Sequence, residues 1–224
     1  MLSILQLYYG FFVFWGTYFI AARLFPNDNV ITRPAAKITS QKVAIRLLSN
    51  LLASSLVVPI ISYIPTIIIM PDIWYGYIGK YILMILISEV WFYYIHRLMH
   101  HRLFYKWHAD HHSFIQSYAA SGLYCSWVEM IFVNQLTIAI PLQVLNFSSI
   151  ELMIVSMLVA LNVLKGHAVL HLRKDTLLWI PEILSQSWDH DIHHKMMVKN
   201  FGILYLLDRI HDTYIDRHSA QCYK

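Results

Sequence analysis

The sequence has little charge and almost no cysteine. Only 13% of its 224 residues are charged and 58% are hydrophobic, against roughly 25% and 45–50% in soluble domains. This composition argues against a soluble globular protein and favours an integral membrane protein. Cys125 and Cys222 are far apart and form no C-x-x-C pair, which argues against a disulfide framework and against a thiolate zinc site.

The basic residues do not form a patch suited to nucleic acid. The net charge is only +4, and the lysines and arginines gather at the ends of apolar segments instead of lining a groove. We therefore exclude nucleic acid as a partner and expect the membrane itself to be one.

Long apolar runs predict an all-α integral membrane protein with four to five transmembrane helices. A span needs about 20 apolar residues, and in the second run Pro59 and Pro65 predict a kink or an early end. The last two runs are the least regular, and a re-entrant hairpin is an alternative there. The predicted spans are residues 2–22, 43–70, 73–95, 127–147 and 150–164.

The distribution of positive charge predicts the orientation of these spans. If the histidine-rich segments face the cytosol, Lys80 alone among the 17 lysines and arginines falls on the opposite side, as the positive-inside rule requires. His112 and His167 can share one site only if an even number of spans separates them. The two last spans supply that number.

Histidine is the residue that stands out. Ten of the 13 histidines occur at spacings of three or four, which place imidazoles on one helix face. The H-x-x-H-H segments are expected to present three rings on a single face. The ten are His96, His100, His108, His111, His112, His167, His171, His190, His193 and His194.

Ten imidazoles are too many for one ion, since a zinc site takes four ligands. Shared between two ions they provide about five ligands each, with one position left for oxygen or water. All-imidazole sites suit iron, zinc, copper or nickel, and a location beside lipid favours redox chemistry on C–H bonds, hence iron. His101, His211 and His218 lack partners at helical spacing and are left out of the site.

Several polar residues are candidates for orienting the imidazoles through their second nitrogen. Glu89 lies two helical turns before His96, within an apolar run where a charge is costly. Asp110, Asp189 and Asp191 lie inside or beside the histidine segments. Glu129 is interpreted instead as a helix cap or a partner of a basic residue, and residues 208–214 as a charged surface segment.

The motifs resemble those of one enzyme superfamily. His96-Arg97-Leu98-Met99-His100 and His108-Ala109-Asp110-His111-His112 are similar to the first two histidine boxes of the sterol desaturase/fatty acid hydroxylase superfamily. His190-Asp191-Ile192-His193-His194, followed by Asn200-Phe201-Gly202, resembles its last box. Residues 118–129 resemble the corresponding segment of C-4 methylsterol oxidases and sterol hydroxylases.

The resemblance implies a membrane-bound oxygenase whose cytosolic, histidine-rich cap covers a di-metal site. Two iron ions held by the ten histidines, with zinc able to replace them in purified protein, would use O2. Electrons would come from NAD(P)H through cytochrome b5 and its reductase, at the endoplasmic reticulum. Asn200 would order the loop after the last box. Residues 1–80 would be anchor helices and residues 81–224 the catalytic domain.

The substrate class stays open at this level. A sterol-like lipid to be hydroxylated or desaturated is the leading expectation, and a fatty acyl chain or sphingolipid is the alternative within the same family. From other classes, a histidine-rich metal- or haem-binding protein without turnover remains an alternative. A zinc hydrolase would usually carry a general-base glutamate as in H-E-x-x-H, and the sequence has no such motif.

Overall fold

Five long helical segments dominate the computed structural model, which describes residues 2–23, 31–32, 38–116, 118–167, 187–216 and 219. All five are long and apolar enough to cross a membrane: Ile4–Ala22, Ser40–Ile61, Trp74–Met99, Trp127–Val144 and Ser149–His167. The predicted all-α integral membrane fold, with four to five spans, is confirmed. Two spans separate His112 from His167, as the shared-site argument requires.

The first three spans are single helices: α1 (Ile4–Ala22), α2 (Ser40–Ile61) and α3 (Trp74–Met99). Ser3 and Thr39 begin α1 and α2 by accepting hydrogen bonds from the backbone N–H groups of Gln6 and Lys42, which satisfies donors that a helix start leaves free. The second run was predicted to cover residues 43–70 with a kink or an early end at Pro59 or Pro65, and the early end is confirmed. The helix ends at Ile61, two residues after Pro59 and four residues before Pro65.

The fourth span is irregular. It begins as α4 (Trp127–Glu129), continues as a π-helical segment (Met130–Gln135) and ends as α5 (Leu136–Val144). A π-helix is rare and often marks a functional site. The fifth span, α6 (Ser149–His167), packs along α1, while α3 packs against α5.

Short elements complete the fold at the end of the bundle that carries the histidines. After α3 come 3-10 turns at Tyr105–Trp107, His111–Ser113 and Ala119–Leu123, and after α6 come α7 (Ser187–Met196) and α8 (Leu206–Ile210). One antiparallel pair, β1 (Ile31–Thr32) with β2 (Phe114–Gln116), adds a small non-helical element. Residues of α1 and α2 share a buried core with residues 114–164, so the N-terminal helices form part of the wall around the histidine end.

A buried ion pair holds the opposite end of the bundle. Lys80 Nζ lies 2.8 Å from Glu151 Oε1 and donates a hydrogen bond of 2.9 Å to the carbonyl oxygen of Asn146. The lysine is fully buried, and a charge inside a membrane protein needs such partners. The pair therefore fixes the start of α3 to the start of α6, far from the histidines, where the charge distribution had predicted Lys80 to lie.

Candidate metal centre

Nine of the ten predicted ligands converge into two groups at one end of the bundle. Within each group one ligand atom per histidine lies within 4.8 Å of all the others. The first group is His96, His100, His108, His112 and His193, and the second is His111, His167, His190 and His194. His171 lies outside the described residues.

The first group joins three stretches of chain. His96 and His100 come from the last turn and the end of α3, and His193 comes from α7. The Nε2 atom of His112 lies 2.9 Å from that of His108, and 3.2 Å from those of His100 and His193. His96 Nε2 lies 3.1 Å from His108 Nε2. All five rings therefore point the same nitrogen at one small volume.

The second group is built in the same way at the end of α6. His190 Nε2 lies 2.9 Å from His167 Nε2 and 3.1 Å from His194 Nε2. The ring of His111 lies close by, with its centroid 4.6 Å from that of His194 and 5.2 Å from that of His167. The helix α6 thus contributes a single described ligand to the second group, and α7 contributes two.

Neighbouring histidines belong to different groups. His112 and His193 lie in the first group, while His111 and His194, next to them in the chain, lie in the second. The expectation that each H-x-x-H-H segment presents three rings on one face is therefore wrong. Successive helical residues differ by about 100° in direction, so the i, i+4 pair stays together and the residue between them turns to the other group.

Backbone carbonyls fix the orientation of four rings. The Nδ1–H groups of His96 and His193 donate to the carbonyl oxygens of Phe201 and Lys199, each at 2.7 Å. His167 donates to its own helix at Val163 O over 2.8 Å, and His194 to Phe114 O over 2.9 Å. Since the proton then sits on Nδ1, the lone pair of Nε2 faces the centre of each group.

These nitrogens fit metal ions. For a metal–nitrogen bond of about 2.1 Å, two ligands at 90° lie about 3.0 Å apart and two at a tetrahedral angle about 3.4 Å apart. The six shortest separations between Nε2 atoms of the described histidines are 2.9–3.2 Å, and all ligand atoms of a group lie within 4.8 Å of one another, so one ion can contact each set. The five donors of the first group favour an ion that takes more than four ligands.

The rings are also in the protonation state that binds metal. Burial lowers the pKa of the imidazoles outside the spans, and repulsion between neighbouring histidines lowers it further. At neutral pH the rings are therefore uncharged and keep a free lone pair. This holds for His100, His108, His111, His112, His190 and His193.

Glu129 is the contact residue that sequence reasoning missed. Its carboxylate is buried, with Oε2 lying 2.9 Å from Nδ1 of His108 and Oε1 3.8 Å from Nδ1 of His111. The first ring belongs to one group and the second to the other, so a single carboxylate faces both. The sequence did contain a signal, a charge within an apolar span, but only the fold shows its partners.

Replacing Glu129 by glutamine is expected to weaken metal binding about 10–100-fold, the usual cost of losing a carboxylate behind a ligating histidine. The neutral amide no longer favours a proton on Nδ1 of His108, which weakens Nε2 as a donor. Metal content during titration with a chelator measures the effect. Asp110→Asn is the matched control, because Asp110 pairs with Arg46 and is part-exposed. Equal chelator resistance in Glu129→Gln and wild type would contradict the assignment.

The other residues that were predicted to orient the imidazoles contact backbone groups or a basic side chain. Among the described residues Glu89 binds no imidazole; its carboxylate accepts hydrogen bonds from the backbone N–H groups of residues 203, 204, 206 and 207. Asp191 pairs with Lys195 at 2.5 Å. Burial raises the pKa of Asp189 to about 6. Asn200 joins the loop after the last box to the following segment, donating to Asp189 O and Ile215 O and accepting from Ile215 N–H.

Asp208 forms a second buried carboxylate beside Glu89. It accepts hydrogen bonds from the backbone N–H groups of Phe201 and Gly202, at 2.8 and 2.6 Å, and from Thr213 Oγ1 at 2.7 Å. The interpretation of residues 208–214 as a surface segment is therefore wrong at its first residue, which is fully buried. The two carboxylates hold the loop whose carbonyl at Phe201 orients His96.

Comparisons with known proteins bear on the same part of the chain. The family model described as fatty acid hydroxylase matches residues 81–213. Fatty acid hydroxylase domain-containing protein 2 of Homo sapiens is 33% identical over 131 residues, covering 57% of this chain and 36% of that protein.

Two fungal proteins show a similarity close to that of the human protein. Sphingolipid C4-hydroxylase SUR2 of Saccharomyces cerevisiae is 31% identical over 144 residues, covering 60% of this chain and 40% of that protein. Fatty acid hydroxylase ahd1 of Mycosarcoma maydis is 28% identical over 137 residues, covering 61% and 33%. The chain thus spans about two fifths or less of the length of these curated relatives. No solved structure matches.

Proposed function

Because the chain belongs to the fatty acid hydroxylase family, whose model matches residues 81–213, we propose that it is a membrane-bound di-iron enzyme that hydroxylates a lipid. The observation that carries this proposal is the pair of histidine groups, with five and four ligand atoms each gathered within 4.8 Å. His171 is proposed as a further ligand of the second group, which would then also have five.

Iron is preferred over zinc on the donor set. Five imidazoles in the first group exceed the four ligands of a structural zinc site. Two bound iron ions would supply the reductive activation of O2 that replaces a C–H hydrogen of the lipid by a hydroxyl group. Zinc can fill the same imidazoles in purified protein.

The chain's own residues hold the ligands and keep water away from them. The ring of Phe201 covers the first group, with its centroid 5.2 Å from that of His100 and 5.5 Å from that of His193. Phe201 is itself 5% exposed. A dry, apolar cover of this kind suits chemistry on hydrocarbon and protects reactive species from solvent.

The proposed substrate is a lipid with a long hydrocarbon chain, of the fatty acyl or sphingolipid class. Two relatives carry names that specify a fatty acid or a sphingolipid hydroxylase, and none of the three relatives described above is named as a sterol enzyme. The sterol-like substrate expected from residues 118–129 therefore becomes the second candidate. Hydroxylation is preferred over desaturation on the same grounds.

Location and electron supply are proposed from charge and from the family. Positive residues near the histidine end, among them Arg97, Arg102 and Lys106, favour a cytosolic orientation of the centre. We propose residence in the endoplasmic reticulum and electrons from NAD(P)H through cytochrome b5 and its reductase. Residues 81–224 would then form the catalytic domain and residues 1–80 the helices that anchor it and complete its core.

The lipid content of cells expressing the protein tests this proposal. Wild type is expected to yield an oxygenated lipid that is absent from cells expressing His193→Ala. His101→Ala is the control, since that histidine is exposed and belongs to neither group, and it should leave the product unchanged. Chromatography with mass spectrometry identifies the product. Identical profiles for wild type and His193→Ala at equal expression would contradict the proposed function.

A further inference from the structure

An apolar cavity of about 120 Å³ lies inside the membrane-spanning bundle, between α1, α2, the fourth span and α6. Its wall on α6 extends from Leu152 to Val163, a distance of about 16 Å along a helix. Val163 lies one turn before His167 and accepts the hydrogen bond from that ring. The cavity therefore runs from near the Lys80–Glu151 end of the bundle towards the second histidine group.

The side chains that line the cavity determine which chemical groups fit it. Among the described residues, no charged side chain takes part in the lining. A carboxylate, ammonium or phosphate group would lose its hydration there without a counter-charge, which is strongly unfavourable. The cavity suits hydrocarbon, together with a neutral polar group where the wall offers a partner.

Such a partner exists where α2 meets the π-helical segment. Gln135 Nε2 donates a hydrogen bond of 3.0 Å to the main-chain carbonyl oxygen of Ser54, and both residues line the cavity. Ser54 is 1% exposed. Within the described part of the chain, Ser54 Oγ and Gln135 Oε1 are buried without a hydrogen-bond partner.

Unsatisfied buried polar atoms are rare in proteins, and inside a membrane no bulk water can satisfy them. Both atoms belong to residues that line the same apolar cavity, and Gln135 ends the π-helical segment, a local geometry often kept for function. A ligand that brings one neutral donor and acceptor to this place would satisfy both atoms. A hydroxyl group has that chemistry, because it can donate to Gln135 Oε1 and share a hydrogen bond with Ser54 Oγ.

We propose that this cavity binds the hydrocarbon part of the lipid substrate and that Ser54 and Gln135 recognise a neutral hydroxyl group on it. The inference rests on the proposed function, because only that function makes the bound lipid a substrate. It deepens that function by naming a long-chain alcohol as the class of ligand that the cavity prefers over a fatty acid. Ser54 and Gln135 are specificity residues; neither contacts the histidine groups.

Competition binding on the full chain in lipid nanodiscs tests the proposal. A photoreactive long-chain alcohol serves as the reporter, and hexadecanol, hexadecane and palmitate serve as competitors. In wild type, hexadecanol should compete at about a tenfold lower concentration than hexadecane, the effect of about one net hydrogen bond. Palmitate should compete no better than hexadecane.

The variants isolate the two side chains. Ser54→Ala and Gln135→Leu should each make hexadecanol and hexadecane compete at about the same concentration, so that the ratio of the two concentrations is close to one. Hexadecane should still compete, which shows that the cavity has kept its shape. Ser55→Ala is the matched control, because its hydroxyl donates to Leu52 O at 2.7 Å, on the same helix. That variant should keep the tenfold preference.

The outcomes separate this inference from the proposed function, since binding requires no turnover. If hexadecanol and hexadecane compete at the same concentration in wild type, Ser54 and Gln135 bind water and not a lipid hydroxyl group, and the inference is overturned. A lipid hydroxylase without any preference for the alcohol would likewise overturn the inference and leave the function standing. Preference for the alcohol in a chain that oxidises no lipid would support the subsite and overturn the function alone.

Discussion

Replacing either His193 or His194 by alanine is expected to remove one of two bound metal ions and to reduce lipid hydroxylation at least about 100-fold. Losing a residue that only orients a ligand lowers metal affinity or activity about 10–100-fold. Losing a ligand itself should therefore cost at least the upper end of that range. The two residues are adjacent, yet His193 lies with the first group and His194 with the second. Each variant should therefore retain about one ion per chain.

Metal analysis of purified protein measures this result, and the double variant sharpens it. If the two groups are separate, the combined His193→Ala and His194→Ala protein should bind close to no metal, while each single variant stays near one. His101→Ala should bind as much metal as wild type. Two ions retained in both single variants would disprove the assignment of these neighbours to separate ions.

Gly202→Ala is expected to lower the free energy of unfolding by about 3 kcal/mol, through overpacking and disturbed hydrogen bonds to charged groups. A Cβ atom at this position would lie 2.6 Å from Glu89 Oε1 and 2.9 Å from Asp208 Oδ2. Both carboxylates are held by backbone N–H groups of the same loop, so neither can retreat freely. Displacing the loop would also move the Phe201 carbonyl away from His96.

Thermal unfolding of the detergent-solubilised protein, with metal analysis beside it, tests this expectation. Gly16→Ala is the control, because its added Cβ would meet nothing within 4 Å and alanine favours a helix by up to about 1 kcal/mol. The Gly202 variant should melt well below the control and lose metal first from the group of His96. Equal melting temperatures for the Gly202 variant and the control would show that Glu89 and Asp208 move aside without loss of stability, and would contradict the expectation.

The sequence predicted the parts of this structure that depend on local spacing. Apolar runs located five spans, and histidines at i, i+4 identified pairs that stay together in one group, such as His96 with His100. The two prolines predicted an early end of α2, but not its position, because residues 62–70 are as apolar as the helix before them.

The partition of ligands could not be read from spacing alone. The spacing of four keeps His108 with His112 and leaves His111 to the other group, but it does not show that α3 completes the first group and α6 the second. The partners of Glu89 were hidden for another reason. Four of them are backbone N–H groups more than a hundred residues away, and any residue type supplies such a donor. Asp208 looked like a surface charge because the residues that follow it include Arg209 and Asp212.

The alternation of neighbouring histidines has a structural consequence for how such a chain can change. At two places, His111 with His112 and His193 with His194, a single peptide unit joins ligands of the two groups, and that unit has a length fixed at about 3.8 Å between Cα atoms. Covalent geometry thus restrains the spacing of the two halves more tightly than side-chain packing would. Substitutions among the cavity-lining residues of α1, α2 or α6 can change the shape of the cavity while that spacing stays constant, so the proposed lipid preference can diversify independently of the proposed metal centre.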